Sequence, residues 1–384
     1  MIIVVALADI ASTEVAIIDF STEPPTSTMI SPPGYGIAAV SGYVVDCYGT
    51  ILVIGSYENS GWVYVYSIGD PGNPNLCGQF DTGLSGVAAI STDGTYVLAG
   101  GPDGSFVLAN IADAYNPYVV CSSPIKIGGM SSVVIRYPNA LVCGFQDGLT
   151  IDYSNMPPIM VGLDSFPPNA YNFGGLWSGD FDGTWAAVIS VPAPENPAPT
   201  GIALFSISNG SPSSPWTMIG AWYSRTSLAI AEEIDGSGCY LAVGMPDSSF
   251  SVGLFSNGQE VASSSFLVPE SSAFPNIVVL KFLNNPAVAP FLAVANGVYT
   301  EPAAVYYVNV NWLQTSGDPS DPTTMSIQDL GPTPTAQVTL SSMENPTLGI
   351  TCFNPPLPWP FPWWRIKALP WQVLQQLLKN LGQG

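Results

Sequence analysis

Short apolar runs and turn residues alternate along almost the whole chain. The stretch "GVAAISTDGTYVLAGGPDGSFVLANIADAYNPYVVCSSPI", from Gly86 to Ile125, is representative. It reads as a strand, an Asp-Gly turn, an apolar strand, a second Asp-Gly turn, a third strand, then Asn-Pro and a fourth strand. Asp-Gly between β-rich runs is a strong hairpin signal, because glycine takes the positive φ that the tight turn needs. The preceding stretch, "GIAAVSGYVVDCYGTILVIGSYENSGWVYVYSIGDPGNPNLCGQF", has the same order of parts. The polar residue marking the first hairpin recurs at Asp46, Asp93, Asn139, Asp182, Asp235 and Asn284, at intervals of 47, 46, 43, 53 and 49 residues. Each precedes an apolar strand: "ILVIGS", "YVLAGG", "ALVCGF", "WAAVIS", "YLAVGM" and "FLAVAN". A third strand follows each, from "WVYVYSI" to "AVYYVNV".

Four strands per unit at a period of about 40–50 residues predict the blades of a β-propeller. Six complete units account for roughly residues 36–331, and the two ends supply a seventh. "MIIVVALAD" and "EVAIIDF" match second and third strands, and "STMI" a fourth. The missing first strand is assigned to "AQVTLSS" near Val338, with "TLGITCF" (Thr347 to Phe353) as an extra partner. The fold class expected is therefore all-β, a seven-bladed propeller over residues 1–353 closed by strands from both termini. Such closure leaves no long unpaired edge. A pair of β-sandwiches is the alternative, and it does not need so regular a period.

Past Phe353 the pattern changes. "NPPLPWPFPWW" is incompatible with helix or central strand, because each proline removes a donor and fixes φ. It predicts an extended arm of about 3 Å per residue. Pro370 then stands at a helix start and Gly382 at its end. Val373, Leu374, Leu377, Leu378 and Leu381 form one stripe, with Gln372, Gln375, Gln376 and Lys379 opposite, which is a short amphipathic helix. So short a helix needs burial to persist. Trp359, Trp363, Trp364 and Trp371 flank it, and with the leucine stripe they are the candidate docking residues of an arm spanning 354–384. Three destinations are open: its own ring, a partner subunit or shell, or a membrane interface, where Trp and cations are favoured.

Charged residues make up 9% of the chain, against about 25% in an ordinary globular protein. The formal charge is −21 and histidine is absent. Nucleic acid is excluded as a partner, since phosphate binding needs clustered Lys and Arg. The usual general base, metal ligand and near-neutral switch are missing with histidine. With seven cations in all, protonating the carboxylates leaves a weakly charged surface that escapes acid-driven repulsion. That points to an acidic and hot habitat. Three of the cations, Arg365, Lys367 and Lys379, lie in the arm, and no Asp or Glu follows Glu344.

Six scattered cysteines without a CxxC pair argue against zinc; they are thiols or up to three disulfides. The N-terminus lacks the basic region of a signal peptide, and no apolar run is long enough to cross a bilayer as a helix.

The repeats resemble two families of bacterial and archaeal propeller repeats. "STDGTYVLAGG" is similar to the second-strand motif of the YVTN family. "VYSIGDPGNPNLCGQF" and "LANIADAYNPYVVCSSP" are similar to the third strand, Asp, Asn-Pro and outer strand of the LVIVD family. The likeness covers residues 36–160 well and later units loosely. It implies the fold and a secreted or surface location, and no single activity. "SGDFDGTW", Ser178 to Trp185, resembles the Asp-box of sialidase-type propellers with one residue inserted. That chemistry would need an arginine cluster, and the chain has Arg136, Arg225 and Arg365 alone.

Asp180 with Asp182, and Asp103 or Asp247, are candidate oxygen ligands for calcium, or else residues that cap their own turns. No other cofactor is expected. Ser-His-Asp catalysis is impossible without histidine, and no phosphate loop is present. Asn209-Gly210-Ser211 is a glycosylation sequon weakened by Pro212. The proline-rich loops at Ser21 to Gly36 and Val191 to Gly201 should be stiff. Trp216, Trp222 and Tyr223 are candidates to stack on a glycan or a neighbouring protein, or else to pack between blades.

The composition resembles that of surface proteins of viruses infecting hot-acid archaea. The expectation is a non-enzymatic virion surface propeller, anchored to other subunits by its C-terminal arm and presenting loops to host protein or glycan. A cell-surface or filament protein comes second, and a calcium-dependent, lactonase-like hydrolase third.

Overall fold

The computed structural model describes residues 2–7, 14–19, 21–33, 43–56, 61–123, 125–144, 148–154, 158–162, 173–192, 201–208, 211–219, 228–232, 238–244, 249–256, 259–267, 277–282, 291–298, 301–309, 313–316, 326–329, 334–340 and 347–353. Residues 1–354 form one compact unit. The arm and all its candidate residues lie outside the described residues.

Strands β1 (Ile2–Leu7), β2 (Glu14–Asp19) and β3 (Thr26–Ile30) open the chain. Antiparallel meanders follow. The first is β4 (Tyr43–Tyr48), β5 (Ile51–Ser56), β6 (Trp62–Ser67) and β7 (Asn75–Asp81). The next is β8 (Ala89–Thr92), β9 (Tyr96–Gly100), β10 (Phe106–Asn110) and β11 (Tyr118–Ser122). Then come β12 (Met130–Arg136), β13 (Asn139–Gly144), β14 (Gly148–Asp152) and β15 (Ile159–Gly162). A longer meander is β16 (Phe173–Phe181), β17 (Trp185–Pro192), β18 (Gly201–Ser208) and β19 (Ser211–Ile219). It is followed by β20 (Leu228–Glu232), β21 (Gly238–Gly244), β22 (Ser249–Ser256) and β23 (Gln259–Leu267). Last are β24 (Ile277–Phe282), β25 (Phe291–Val298), β26 (Glu301–Asn309), the hairpin β27 (Leu313–Ser316) and β28 (Ser326–Asp329), then β29 (Pro334–Leu340) and β30 (Thr347–Phe353).

The described residues hold seven four-stranded sheets. The first strand of each touches the first strand of the next, from β4 through β8, β12, β16 and β20 to β24; β24 meets β30, and β30 returns to β4.

Closure differs in detail from the expectation. β30, "TLGITCF", is the first strand of the N-terminal sheet, pairing with β1 so that Phe353 lies opposite Ile2. "AQVTLSS" falls in β29, the outer strand beside β26. The reason is the β27–β28 hairpin inserted between third and fourth strands, which carries the last complete unit on to Leu340 instead of residue 331. "STMI" is the outer strand β3, as its position suggested.

The hairpin register also shifts. Asp46 lies inside β4, and the turn falls at Gly49, whose φ is 58°. Asn139 opens β13 instead of marking the turn, while Asp93 and Asp182 do stand at turns; Asp235 and Asn284 lie outside the described residues. The true turn column is Tyr48, Asp93, Tyr137 and Asp182.

Second strands are buried on both faces, which is why they read as unbroken apolar runs. Along β13, Ala140 and Val142 pack toward the β8–β11 sheet, and Leu141 and Cys143 toward the β16–β19 sheet. Along β17, Ala186 and Val188 face back, and Ala187 and Ile189 face forward. A period of two thus feeds alternate cores between successive sheets. Glycines end several of these strands because a connection between sheets runs against them. A Cβ on Gly144 would overlap the carbonyl oxygen of Ile127. Cys47, Cys77, Cys121, Cys143 and Cys239 are free thiols.

Each first strand has a ladder partner on one side only, so its remaining amides need other acceptors. Side chains of the preceding sheet provide them. The Asp46 carboxylate accepts from the Thr92 amide at 2.9 Å and the Ser91 hydroxyl at 2.7 Å. Ser91 Oγ accepts from the Ile135 amide at 3.2 Å. Asp180 Oδ2 accepts from the Ile230 amide at 3.0 Å, and its Oδ1 meets Lys281 Nζ at 2.8 Å. Asp46, Ser91 and Asp180 are buried, so these bonds tie each sheet to the next, and through Lys281 to the sheet after it, where solvent competes little.

Candidate functional site

Antiparallel order brings the end of each first strand, the start of the second, the end of the third and the start of the fourth to one side of the unit. Among the described residues that face carries the first hairpins at 49–50, 93–95, 137–138 and 182–184, the connections at 68–74 and 111–117, and residues 153–154. Ile2 and Phe353 lie there too, since Ile2 is opposite both Phe353 and Asp19.

Tyrosines dominate its exposed apolar surface. Tyr48 is 43% exposed, Tyr115 66% and Tyr137 65%. Tyr48 lies over Gly94, where an added Cβ would come within 3.0 Å of its ring. Tyr137 stands edge-on to Tyr153 at 5.7 Å between centroids, and Tyr153 edge-on to Tyr96 at 5.6 Å. Each such contact contributes about 1 kcal/mol beyond burial. The Tyr153 hydroxyl donates to Asp93 Oδ2 at 2.7 Å, while Asp93 Oδ1 accepts from the amides of Thr95 and Tyr96 at 2.8 and 2.7 Å.

Beneath this layer Arg136 is 7% exposed. Its Nη1 donates to the carbonyls of Ile135 at 2.6 Å and Thr92 at 3.3 Å, and Nη2 has no partner among the described residues. Burial first, and the Asp93 carboxylate second, push the Tyr153 phenol above its ordinary range, with Arg136 acting in the opposite direction. The result is an aromatic surface of fixed orientation on a buried polar base. It offers flat faces for stacking.

Among the residues singled out from sequence, Asp182 stands in a first hairpin on this face. Trp216 belongs to the outer strand β19, and Trp222 and Tyr223 lie outside the described residues, as does Asp247. Asp182 Oδ1 accepts from the amides of Thr184 and Trp185, each at 2.8 Å, so the Asp-box-like segment is a self-capped first hairpin joining β16 to β17. Both oxygens of Asp180 are engaged, and Asp103 pairs with Lys126 and Ser105 on the opposite face. Tyr48 and Tyr137 were missed because the repeat was aligned on Asp46 and Asn139. Aligned on the turn, they fall in the column of Asp93 and Asp182.

No family model matches the chain, and no curated protein matches it in sequence. Solved structures do match in shape. A chain of the mitotic checkpoint complex aligns over 77% of this chain and 87% of its own length, with a TM-score of 0.51 and 11% identity. A protein assigned as a 6-phosphogluconolactonase from Bacteroides uniformis aligns over 91% and 98%, with a TM-score of 0.56 and 13% identity. Sqt1 from Chaetomium thermophilum, bound to the N-terminus of ribosomal protein L10, aligns over 79% of each, at 0.50 and 14%. The chain folds as a β-propeller.

The propeller's buried acids shape its response to alkali. Burial raises Tyr66 from 10.0 to about 12 and Cys143 from 9.0 to about 12. In the unfolded chain these groups ionise near their ordinary values; in the propeller they stay neutral. Stability is therefore complete below pH 9 and declines as pH rises from there toward about 12. Melting temperatures followed by circular dichroism should fall across that window. A melting temperature level to about pH 11 would contradict the linkage.

Proposed function

We propose that the chain is a non-catalytic propeller that binds protein through the face bearing Tyr48, Tyr115 and Tyr137. The observation that carries this reading is Tyr137, 65% exposed yet braced by the buried Tyr153. A rigid, exposed aromatic loses little freedom when covered, which is what makes tyrosine a frequent anchor of protein interfaces. The names of two compared structures, a checkpoint complex and a protein bound to ribosomal protein L10, describe protein assemblies.

The finer reading is a component of an external assembly, such as a virion or cell-surface layer, held through residues 354–384. The support for it is compositional: 9% charged residues, no histidine, and an arm rich in Trp, Pro and Leu. The calcium-dependent hydrolase reading has less support, because Asp180 already serves Lys281 and the Ile230 amide.

A displayed peptide library selected on the immobilised full chain tests the binding face. Enriched peptides should lose at least about tenfold in affinity on the Tyr48→Ala/Tyr137→Ala chain, as interface anchors do. That variant should lose no more than about 2 kcal/mol of stability, chiefly the Tyr137–Tyr153 contact, and still unfold in a single transition. Enrichment indifferent to both tyrosines would remove the face from consideration. Calcium-dependent turnover of simple lactones would install the hydrolase instead.

A further inference from the structure

We propose that the tyrosine-bearing face receives residues 355–384 of a second copy, so that two chains exchange arms face to face. This rests on the protein-binding reading above and names its partner.

The first support is where the chain leaves the ring. β30 ends at Phe353 on the face that carries Tyr48, Tyr115 and Tyr137. An arm that departs from the face it recognises makes a reciprocal contact, and such a contact closes at two copies instead of running on into a fibre.

The second is charge. Strand ends and turns of this face carry Asp19, Glu23, Asp70, Asp93, Asp113, Asp152 and Asp182. Most are there for local reasons, each holding an amide two residues on, as Asp70 holds Gly72 and Asp152 holds Ser154. The sum is nonetheless an acidic face. Among the described cations, Arg136 is buried, Lys281 is paired with Asp180, and Lys126 pairs with Asp103 on the opposite side. Residues 1–354 hold four cations against 28 carboxylates, a formal −24, whereas 355–384 hold three cations and no carboxylate, +3. A ring with such a deficit attracts that segment and repels another bare ring.

The third is chemical fit. Proline-rich segments in polyproline form dock on surfaces lined with aromatic rings, at low entropic cost because they are already extended. "PPLPWPFPWW" meets that description, and exposed tyrosines standing on a fixed base supply the rings. At about 3 Å per residue, the eleven residues from Asn354 to Trp364 span about 30 Å, enough to cross to a facing ring. The stripe from Val373 to Leu381 also needs cover. Beside the tyrosines the same face exposes Ile159, 55% exposed at the start of β15, as apolar cover for part of that stripe.

Light scattering on the full chain should give twice the 40.3 kDa chain mass at moderate salt. Trp363→Ala/Trp364→Ala and, separately, Tyr48→Ala/Tyr137→Ala should each return it to the single-chain mass with unchanged circular dichroism. Mixing the two variants should restore two-chain species in native mass spectrometry, because one arm and one face remain intact in the pair. A single-chain mass for the wild type at every concentration overturns the exchange, as does a two-chain mass that survives both double substitutions. Tyrosine-dependent peptide binding by a wild type that is monomeric throughout would sink the exchange alone and leave the protein-binding reading standing.

Discussion

Replacing Asp180 by asparagine is expected to destabilise the ring by about 3 kcal/mol, the range for breaking a buried pair by removing one partner. Asp180 serves two neighbours at once, the Ile230 amide at 3.0 Å and Lys281 Nζ at 2.8 Å. Its side chain is 5% exposed and that of Lys281 14%. Asparagine keeps an acceptor for one of them but leaves the ammonium without its counter-charge in a site where water screens poorly. Lys281→Met should cost less, since the remaining carboxylate keeps the Ile230 amide. Combining the two should recover part of the loss, because neither ion is then stranded. Urea denaturation of the four chains gives the coupling. Strictly additive losses would mean that the pair contributes nothing beyond its separate parts.

Gly144→Ala should be about as damaging, on the order of 3 kcal/mol, toward the upper end for overpacking a well-filled core. The added methyl would overlap the Ile127 carbonyl oxygen, a backbone atom that has no rotamer to yield. The same change at Gly162 meets nothing within 4 Å. There alanine should be neutral or slightly stabilising, through the narrower unfolded ensemble. The comparison separates close approach between sheets from a general dislike of side chains in these strands. Equal costs at the two sites would reject the close-approach explanation.

Repetition is what the sequence determined unaided. The apolar second strands, the Asp-Gly turns and the Asn-Pro before the outer strands β7 and β11 are local signals with local physical causes, and each unit folds back on itself as they indicate. Gly49, Gly94 and Gly183 take φ of 58°, 84° and 123°, the conformation for which a turn selects glycine. The identity of the closing strand was not legible. "AQVTLSS" and "TLGITCF" are equally good strands, and only the β27–β28 insertion, with pairing to β1 across some 350 residues of chain, decided which one shuts the ring. The candidate face was not legible either. Asp46 and Asp180 look like turn residues in the sequence, yet Asp46 bonds to the next sheet and Asp180 to the next and to the one after it. Tyr48 and Tyr137 look like ordinary strand aromatics. A side chain's neighbours across a sheet boundary depend on how one blade is rotated against the next, and that rotation is set by packing between units some 45 residues apart, beyond the reach of any local pattern.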